Sequence, residues 1–305
     1  MFRGLRVTVL RGGPSAERDV SLSSGAAVAA ACRRLGCTVT EGDVSPDDLG
    51  ALDVPADVIF PVLHGEFGED GQLQAILEQR GLCYVGSDAA SSRLAMDKDA
   101  SKRKWQSEGL PTAPWVCVDA TDDPATVDLP GPPAVLKPLC EGSSIGVRCC
   151  AALDELREEV ARAVAQHGKV LVEKYLDGPE LTVGVLEDRA LPVIEIRPAI
   201  AFFDFEAKYH RADTQILFEP DIDSTTYSAA QETAIRAFRA LGCRDFSRVD
   251  FIADRRAGLH LLEINTIPGF TDHSLLPKAA ARVGVPFDEL VGRLLAMAHR
   301  RGEAT

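Results

Sequence analysis

RVDFIADRRAGLHLLEIN, residues 248–265, carries two alternating runs on either side of RRAG. Such a pattern predicts two strands joined by a tight turn. A four-residue turn over RRAG pairs Asp254 with Leu259, and counting back sets Asp250 opposite Glu263 and Arg248 opposite Asn265. Glu263 and Asn265 stand two apart, so they point to one face of their strand. A solvated strand end would account for either residue alone. Two carboxylates facing each other across a hairpin repel, however, unless something positive lies between them. That pair argues for a cation site. Hard oxygen ligands suit Mg²⁺ (or Mn²⁺) better than zinc, and Mg²⁺ commonly shares its shell with phosphate oxygens.

The wider composition sets limits on the partner. The 305 residues are 46% hydrophobic and 26% charged, which is ordinary for a globular protein of two or three domains. A net charge of −13 argues against nucleic acid as a partner. Eight cysteines occur without a Cys-x-x-Cys pair, as expected of reduced thiols rather than a zinc site or a disulfide framework. RVTVL follows the first residues without a long apolar stretch, and no run reaches the roughly 18 apolar residues of a membrane span. These features predict a cytoplasmic protein with no membrane partner.

Outward from the hairpin, three units are predicted, at 1–93, 94–178 and 179–305. In the first, RVTVL, CTVTEGDV, DVIFPVLHG and CYVGSD read as strands alternating with helices, which predicts an α/β parallel, doubly wound sheet. A helix over SRLAMDKDASKRKWQSEG opens the second, followed by strands PAVLKP and GVRCCA, a helix from Leu153 and strand KVLVEKYL, a smaller α+β unit. The third has strands ELTVGVLED and ALPVIEIRP, a long loop over 202–224, a helix from Thr225 and the hairpin.

Two further places invite a phosphate ligand. Alternation in VLKP puts Lys137 on the face of Val135, and an inward lysine at a strand end needs an anion. The following EGSSIG could fold its N–H groups over phosphates, or could be a plain hairpin turn; it is no P-loop, since no Gly-Lys-Ser/Thr follows. The first turn, RGGPSAER, lacks the Gly-x-Gly-x-x-Gly of a dinucleotide fold. Its Glu17 and Arg18 make either a surface pair or, at the C-terminal end of a strand, a ligand site with Glu17 receiving an ammonium group.

GGPSAERDVSLSSG, HGEFGEDGQLQ, AMDKDASK, LKPLCEGSSIGV, LVEKYLDGPELTV, FDFEAKY, RVDF and EINTIPGFTDHSLLP occur in the order and approximate spacing of the D-alanine–D-alanine ligases, and the chain resembles that family over essentially its whole length. The resemblance implies a three-domain ATP-grasp architecture in which the two α+β units sandwich ATP. It implies ATP gripped by EGSSIG, including Ser144, with Lys98 and Lys137 on the phosphates. Glu173 and Glu180, with backbone groups of Lys174 and Leu176, would hold adenine and ribose. Asp250, Glu263 and Asn265 would hold two Mg²⁺ or Mn²⁺ ions. Glu17 would receive the ammonium of the first D-alanine, with His64 nearby, and Ser274 the carboxylate of the second. Arg248 and the N–H of Gly269 would stabilise the tetrahedral oxyanion, and Lys208 would reach the transferred phosphate. Glu17, Ser143 and Tyr209 resemble a hydrogen-bonded triad that closes the 202–224 loop as a lid. A homodimer through the first domain is also implied.

Asp19, Gln72, Ala75 and EPDID at 219–223 depart from the family pattern, and the last leaves the acceptor open to D-serine, D-lactate or another amino acid. Tyr209 favours an amine acceptor. A non-catalytic two-lobed binding protein and an NAD-dependent oxidoreductase are the remaining readings, disfavoured by the acidic–lysine set and by the missing dinucleotide fingerprint.

Overall fold

The computed structural model describes residues 2–140, 146–197 and 214–303. Three sheets follow one another along the chain. In the first, β1 (Arg6–Leu10), β2 (Thr38–Gly42) and β3 (Val58–Pro61) pair in parallel in the order β2-β1-β3. Val7, Val9, Val58 and Phe60 face a core shared with α1 (Arg18–Arg34), whereas Leu10 and Ile59 face a second core with α2 (Gln72–Gln79). Cover on both faces is why the strand is buried from Val7 to Leu10. CYVGSD contributes only one bridge, from Tyr84 to Ile59, rather than a full strand.

The helix predicted over 92–109 is two helices, α3 (Ala89–Met96) and α4 (Lys98–Ser107). The chain breaks at Asp97, which is extended (φ −81°, ψ 105°) and caps α4 by accepting the N–H of Ala100 at 3.0 Å. This break sets Lys98 at the very start of α4. Beyond it, β4 (Trp115–Asp119), β5 (Ala134–Pro138), β6 (Arg148–Cys150) and β7 (Lys169–Lys174) form an antiparallel sheet in the order β4-β7-β5-β6. Helix α5 (Leu153–His167) backs it through Leu156, Val160 and Val164. The sequence reading leaves β4 unassigned, because WVCVD lies between a proline pair and a polar loop.

The third sheet is antiparallel, in the order β10-β9-β8-β11-β12, from β8 (Glu180–Leu186), β9 (Arg189–Arg197), β10 (Gln215–Leu217), β11 (Phe246–Asp254) and β12 (Gly258–Asn265). Helix α6 (Ser224–Ala240) packs Ala230, Ala234, Ala237 and Phe238 against Val183, Val249 and Phe251. Helix α7 (Leu275–Arg282) packs on β8 and β9, while α8 (Phe287–Glu303) returns to α1 and β3. First and last segments therefore share one apolar core. Asp245 fastens the same junction, accepting the N–H of Gly86 at 2.8 Å and pairing with Arg301.

The decisive hairpin pairs Arg248 with Asn265 and Asp250 with Glu263, as the sequence count predicts. It does so by a different route. The turn is one residue tighter, with Asp254 opposite Gly258, whose φ of +83° is the left-handed conformation that closes a three-residue loop. Asp254 secures this loop by accepting the N–H groups of Arg256 and Ala257. A bulge between Asp250 and Phe251 then leaves Leu262 as an extra residue and restores the count at the site end.

Phe270 lies midway along the strand-to-helix connection that follows. It is fully buried, with ring centroids 5.3 Å from Phe246, 5.7 Å from Phe287 and 5.9 Å from Phe60. These partners come from all sides of the shared core, so Phe270→Ala should lower the unfolding free energy in urea by about 3–5 kcal/mol. A loss below about 1 kcal/mol would contradict the role assigned to this junction.

Candidate active site

Asp250 is buried and heavily partnered. Its Oδ1 accepts from Thr182 Oγ1 at 2.5 Å and Arg248 Nε at 2.9 Å, and its Oδ2 from Arg248 Nη2 at 2.7 Å. Burial works against the Arg248 charge, but Asp250 outweighs it by attraction and hydrogen bonding, with Glu263 and Glu69 adding, so the guanidinium is held firmly charged. Across the hairpin, Glu263 is partly exposed and lies 3.6 Å from Lys98 Nζ. The like-charge pair read from the sequence is thus offset by Arg248 on one side and Lys98 on the other. Asn265 turns its Oδ1 to the N–H of Ile267, at 3.0 Å.

On the central sheet, Lys137 does have an anion. Its ammonium pairs with Glu173 on the neighbouring β7, and Lys102 of α4 reaches the same carboxylate at 3.0 Å. Burial favours the neutral acid at Glu173, but the two lysines prevail and hold it below the usual carboxylate range. Lys98, Lys137, Glu173, Lys174, Leu176, Glu180, Asp250 and Glu263 all line one cavity of about 1070 Å³ between the second and third sheets. Ile252, Leu259 and Leu262 supply apolar wall, and the bulge explains why Leu262 reaches it. Asp221, Ile222 and Asp223 of EPDID line the same cavity, and the Asp221 N–H donates to Glu195 at 3.1 Å. Part of that departure from the family pattern therefore belongs to the wall of this cavity.

A second cluster gathers at the entrance of α1. Glu17 stands at its N-cap, with its carboxylate close enough to Gly65 that a Cβ there would lie 3.1 Å away. His64 is buried. Its Nδ1 lies 2.8 Å from the carbonyl of Ile267 and its Nε2 lies 3.3 Å from Ser24 Oγ, which itself accepts the N–H of Phe270 at 3.1 Å. This network is self-consistent for neutral imidazole with Nδ1–H donating to Ile267 and Ser24 donating to Nε2. Burial lowers the His64 pKa against the raising effect of Glu17 and of the Ile267 carbonyl, in keeping with a neutral ring. Gly269 follows, and a Cβ there would meet Ser274 Oγ at 3.2 Å; that hydroxyl accepts the N–H of Thr271 at 3.0 Å.

The predicted residues thus fall into a nucleotide-sized cavity and a polar cluster beside it, with Arg248 and Asn265 at the hairpin end. Ser143, Ser144, Lys208 and Tyr209, together with most of the 202–224 loop, lie outside the described residues. Sequence reasoning missed Lys102, Thr182, Ser24 and Glu69. Lys102 had a signal, since it stands one helical turn after Lys98 on the same face. Glu69 lies within HGEFGEDG, but nothing local distinguishes it from Glu66 or Asp70.

Glu69 ties the turn at Gly65 to the connection that follows the hairpin. It is buried and accepts the N–H of Gly65 at 2.6 Å and that of Ile267 at 3.2 Å. Burial, helped by the charge of Glu17, outweighs both donors and Arg248 and pushes its carboxyl up to about 8. A folded-state value above the ordinary one means that folding favours the protonated acid. The stability this confers is full below the ordinary carboxylate range and is lost as pH rises through about 8. Glu69→Gln removes the titration, so the fall in Tm between about pH 6 and about pH 9 should be smaller in the variant than in the parent. Equal falls would contradict the buried acid.

Comparison with known proteins follows the same lines. Residues 38–87 match the family model for the D-ala D-ala ligase N-terminus, and residues 104–296 that for the D-ala D-ala ligase C-terminus. The D-alanine–D-alanine ligase of Marinobacter nauticus is 44% identical over 95% of this chain and 90% of its own length. That of Syntrophotalea carbinolica is 42% identical over 97% of both. Among solved structures, a D-alanine–D-alanine ligase from Bacillus anthracis superposes with a TM-score of 0.85 at 30% identity, covering 99% of each chain. The enzyme from that organism complexed with ATP gives 0.83 at 27% identity, again over 99% of each chain. Motifs and fold agree with these matches: the chain belongs to the D-alanine–D-alanine ligase family.

Proposed function

We propose that this protein joins two D-alanine molecules into D-alanyl-D-alanine at the expense of ATP, supplying a peptidoglycan precursor. The observation that carries this reading is a nucleotide-sized cavity into which lysines at 98 and 137 and carboxylates at 250 and 263 all project. In the reaction, a carboxylate oxygen of the first D-alanine attacks the γ-phosphorus of ATP and ADP leaves. The free amine of the second then attacks the acyl carbon, and phosphate departs with the bridging oxygen. Positioning and charge stabilisation are the main tasks of the protein.

Each task has a residue. Lys98 and Lys137 neutralise phosphate charge, and Glu173, Lys174, Leu176 and Glu180 hold the nucleoside. Glu17 receives the first ammonium, His64 orders the loop beside it, and Ser274 takes the second carboxylate. The Gly269 N–H and Arg248 stabilise the oxyanion. Glu17, Ser143 and Tyr209 would fasten the lid as a triad, Ser144 would grip ATP and Lys208 would reach the transferred phosphate. Asp250, Glu263 and the amide oxygen of Asn265 form a hard-oxygen donor set that suits Mg²⁺ or Mn²⁺, although among the described residues no three His, Cys, Asp or Glu side chains converge on one point. Phosphate oxygens would complete the shell, and the metal would withdraw charge from the phosphates.

The units 1–93, 94–178 and 179–305 serve as working domains, with ATP between the second and third. We further place the enzyme in the cytoplasm as a homodimer through its first domain. Among the described residues no helix is long and apolar enough to cross a membrane. Asp221, Ile222 and Asp223 of EPDID line the cavity assigned to ATP, which supports D-alanine over an altered acceptor.

Purified protein with Mg·ATP should release phosphate on addition of D-alanine, and far less with L-alanine, D-serine or D-lactate, and yield the dipeptide mass. Turnover with another acceptor alone would overturn the assignment. Glu263→Gln should lose on the order of 100-fold in turnover with its circular dichroism unchanged. Near-parental turnover would remove Glu263 from the metal set.

A further inference from the structure

Lys102 is among the largest fully buried side chains of the protein, 1% exposed, and no step above uses it. It does not line the cavity, whereas Lys137 and Glu173 do. Its ammonium is fixed from three directions. It donates to Thr112 Oγ1 at 2.6 Å and to Glu173 Oε2 at 3.0 Å, and it lies 5.1 Å from the centre of the Trp115 ring, a cation–π contact. Trp115 is itself held by donating from Nε1 to Asp99 at 2.8 Å. Lys137, by contrast, takes the other Glu173 oxygen from the cavity wall. One carboxylate therefore carries two ammonium groups, of which one is walled in and the other faces the space where phosphates would lie.

We propose that Lys102 is the resident counter-ion of Glu173, a positioning residue that keeps this carboxylate charged and in place when phosphate draws Lys137 away. The inference rests on the reading of the cavity as an ATP site. Two cations on one anion repel each other, so releasing Lys137 to phosphate leaves a balanced Lys102–Glu173 pair. Without Lys102, the same release would strand a buried carboxylate, which is strongly unfavourable. Lys137 would then stay on Glu173 and the nucleotide would lose a phosphate partner.

The test is a cycle of Lys102→Met, Glu173→Gln and the double variant, with ATP and D-alanine titrated separately and nucleotide binding measured by calorimetry. Lys102→Met should raise KM for ATP about tenfold or more while KM for D-alanine and kcat at saturating ATP change less than about threefold. In the Glu173→Gln background the same substitution should change ATP binding less than about twofold, because the group it serves is gone. An unchanged KM for ATP, equal losses for both substrates, or full additivity with Glu173→Gln would each overturn the proposal. Should Lys102→Met not fold, Thr112→Val loosens the same ammonium, and an unchanged KM for ATP in that folded variant would overturn it equally. If the parent itself binds no nucleotide, the ATP reading fails first; if the parent binds and only the cycle fails, the failure belongs to Lys102.

Discussion

The peptide group of Ile267 is where the parts of this molecule meet. Its N–H is shared by Asn265, at the end of the hairpin, and Glu69, from the first unit, while its carbonyl takes His64. Three residues on, the N–H of Phe270 goes to Ser24 of α1 and its ring fills the core shared by the first and last segments. A connection with this many buried polar partners has little freedom to move, since each lost bond would leave a buried group unsatisfied. Gly269, between the two anchors, is held accordingly. The backbone assigned to the oxyanion is thus fixed by residues more than 190 positions away in sequence.

Electrostatics inside the site rest on cations set against carboxylates. The protein carries a net charge of −13, yet Lys98, Lys102, Lys137 and Arg248 are set within or against one cavity, each facing a carboxylate. Such pairs cost desolvation and add little net stability compared with apolar packing. Their value is to hold cations in position at low reorganisation cost, ready for an anion of higher charge. Acidity of the whole and affinity for phosphate coexist because charges beyond roughly 10 Å are screened, whereas those in the cavity wall are not.

How much of this could be read from the sequence depends on the range of the interaction. The pairing of Asp250 with Glu263 was legible because turn length and alternation are local, although a tighter turn and a bulge at Leu262 cancel each other to give it. The parallel first sheet was legible from its buried runs. Asp97, a single extended residue, split what periodicity alone reads as one helix. Lys102 with Glu173 and Glu69 with Ile267 were not legible: their partners are distant in the chain, and only folding reveals that Glu173 already has a counter-ion behind it. The alternation in VLKP marks Lys137 as a lysine in need of an anion, and Glu173 of the protein itself supplies one.

In the proposed reaction a carboxylate of D-alanine is activated by direct transfer of the γ-phosphoryl group. Running the reaction with D-alanine labelled with ¹⁸O in its carboxylate and analysing the released phosphate by mass spectrometry tests it most directly. Attack on the γ-phosphorus followed by amine displacement predicts that the phosphate carries one labelled oxygen, derived from the substrate carboxylate. Unlabelled phosphate would contradict the account, because ATP would then have been cleaved by water or activated at another phosphorus.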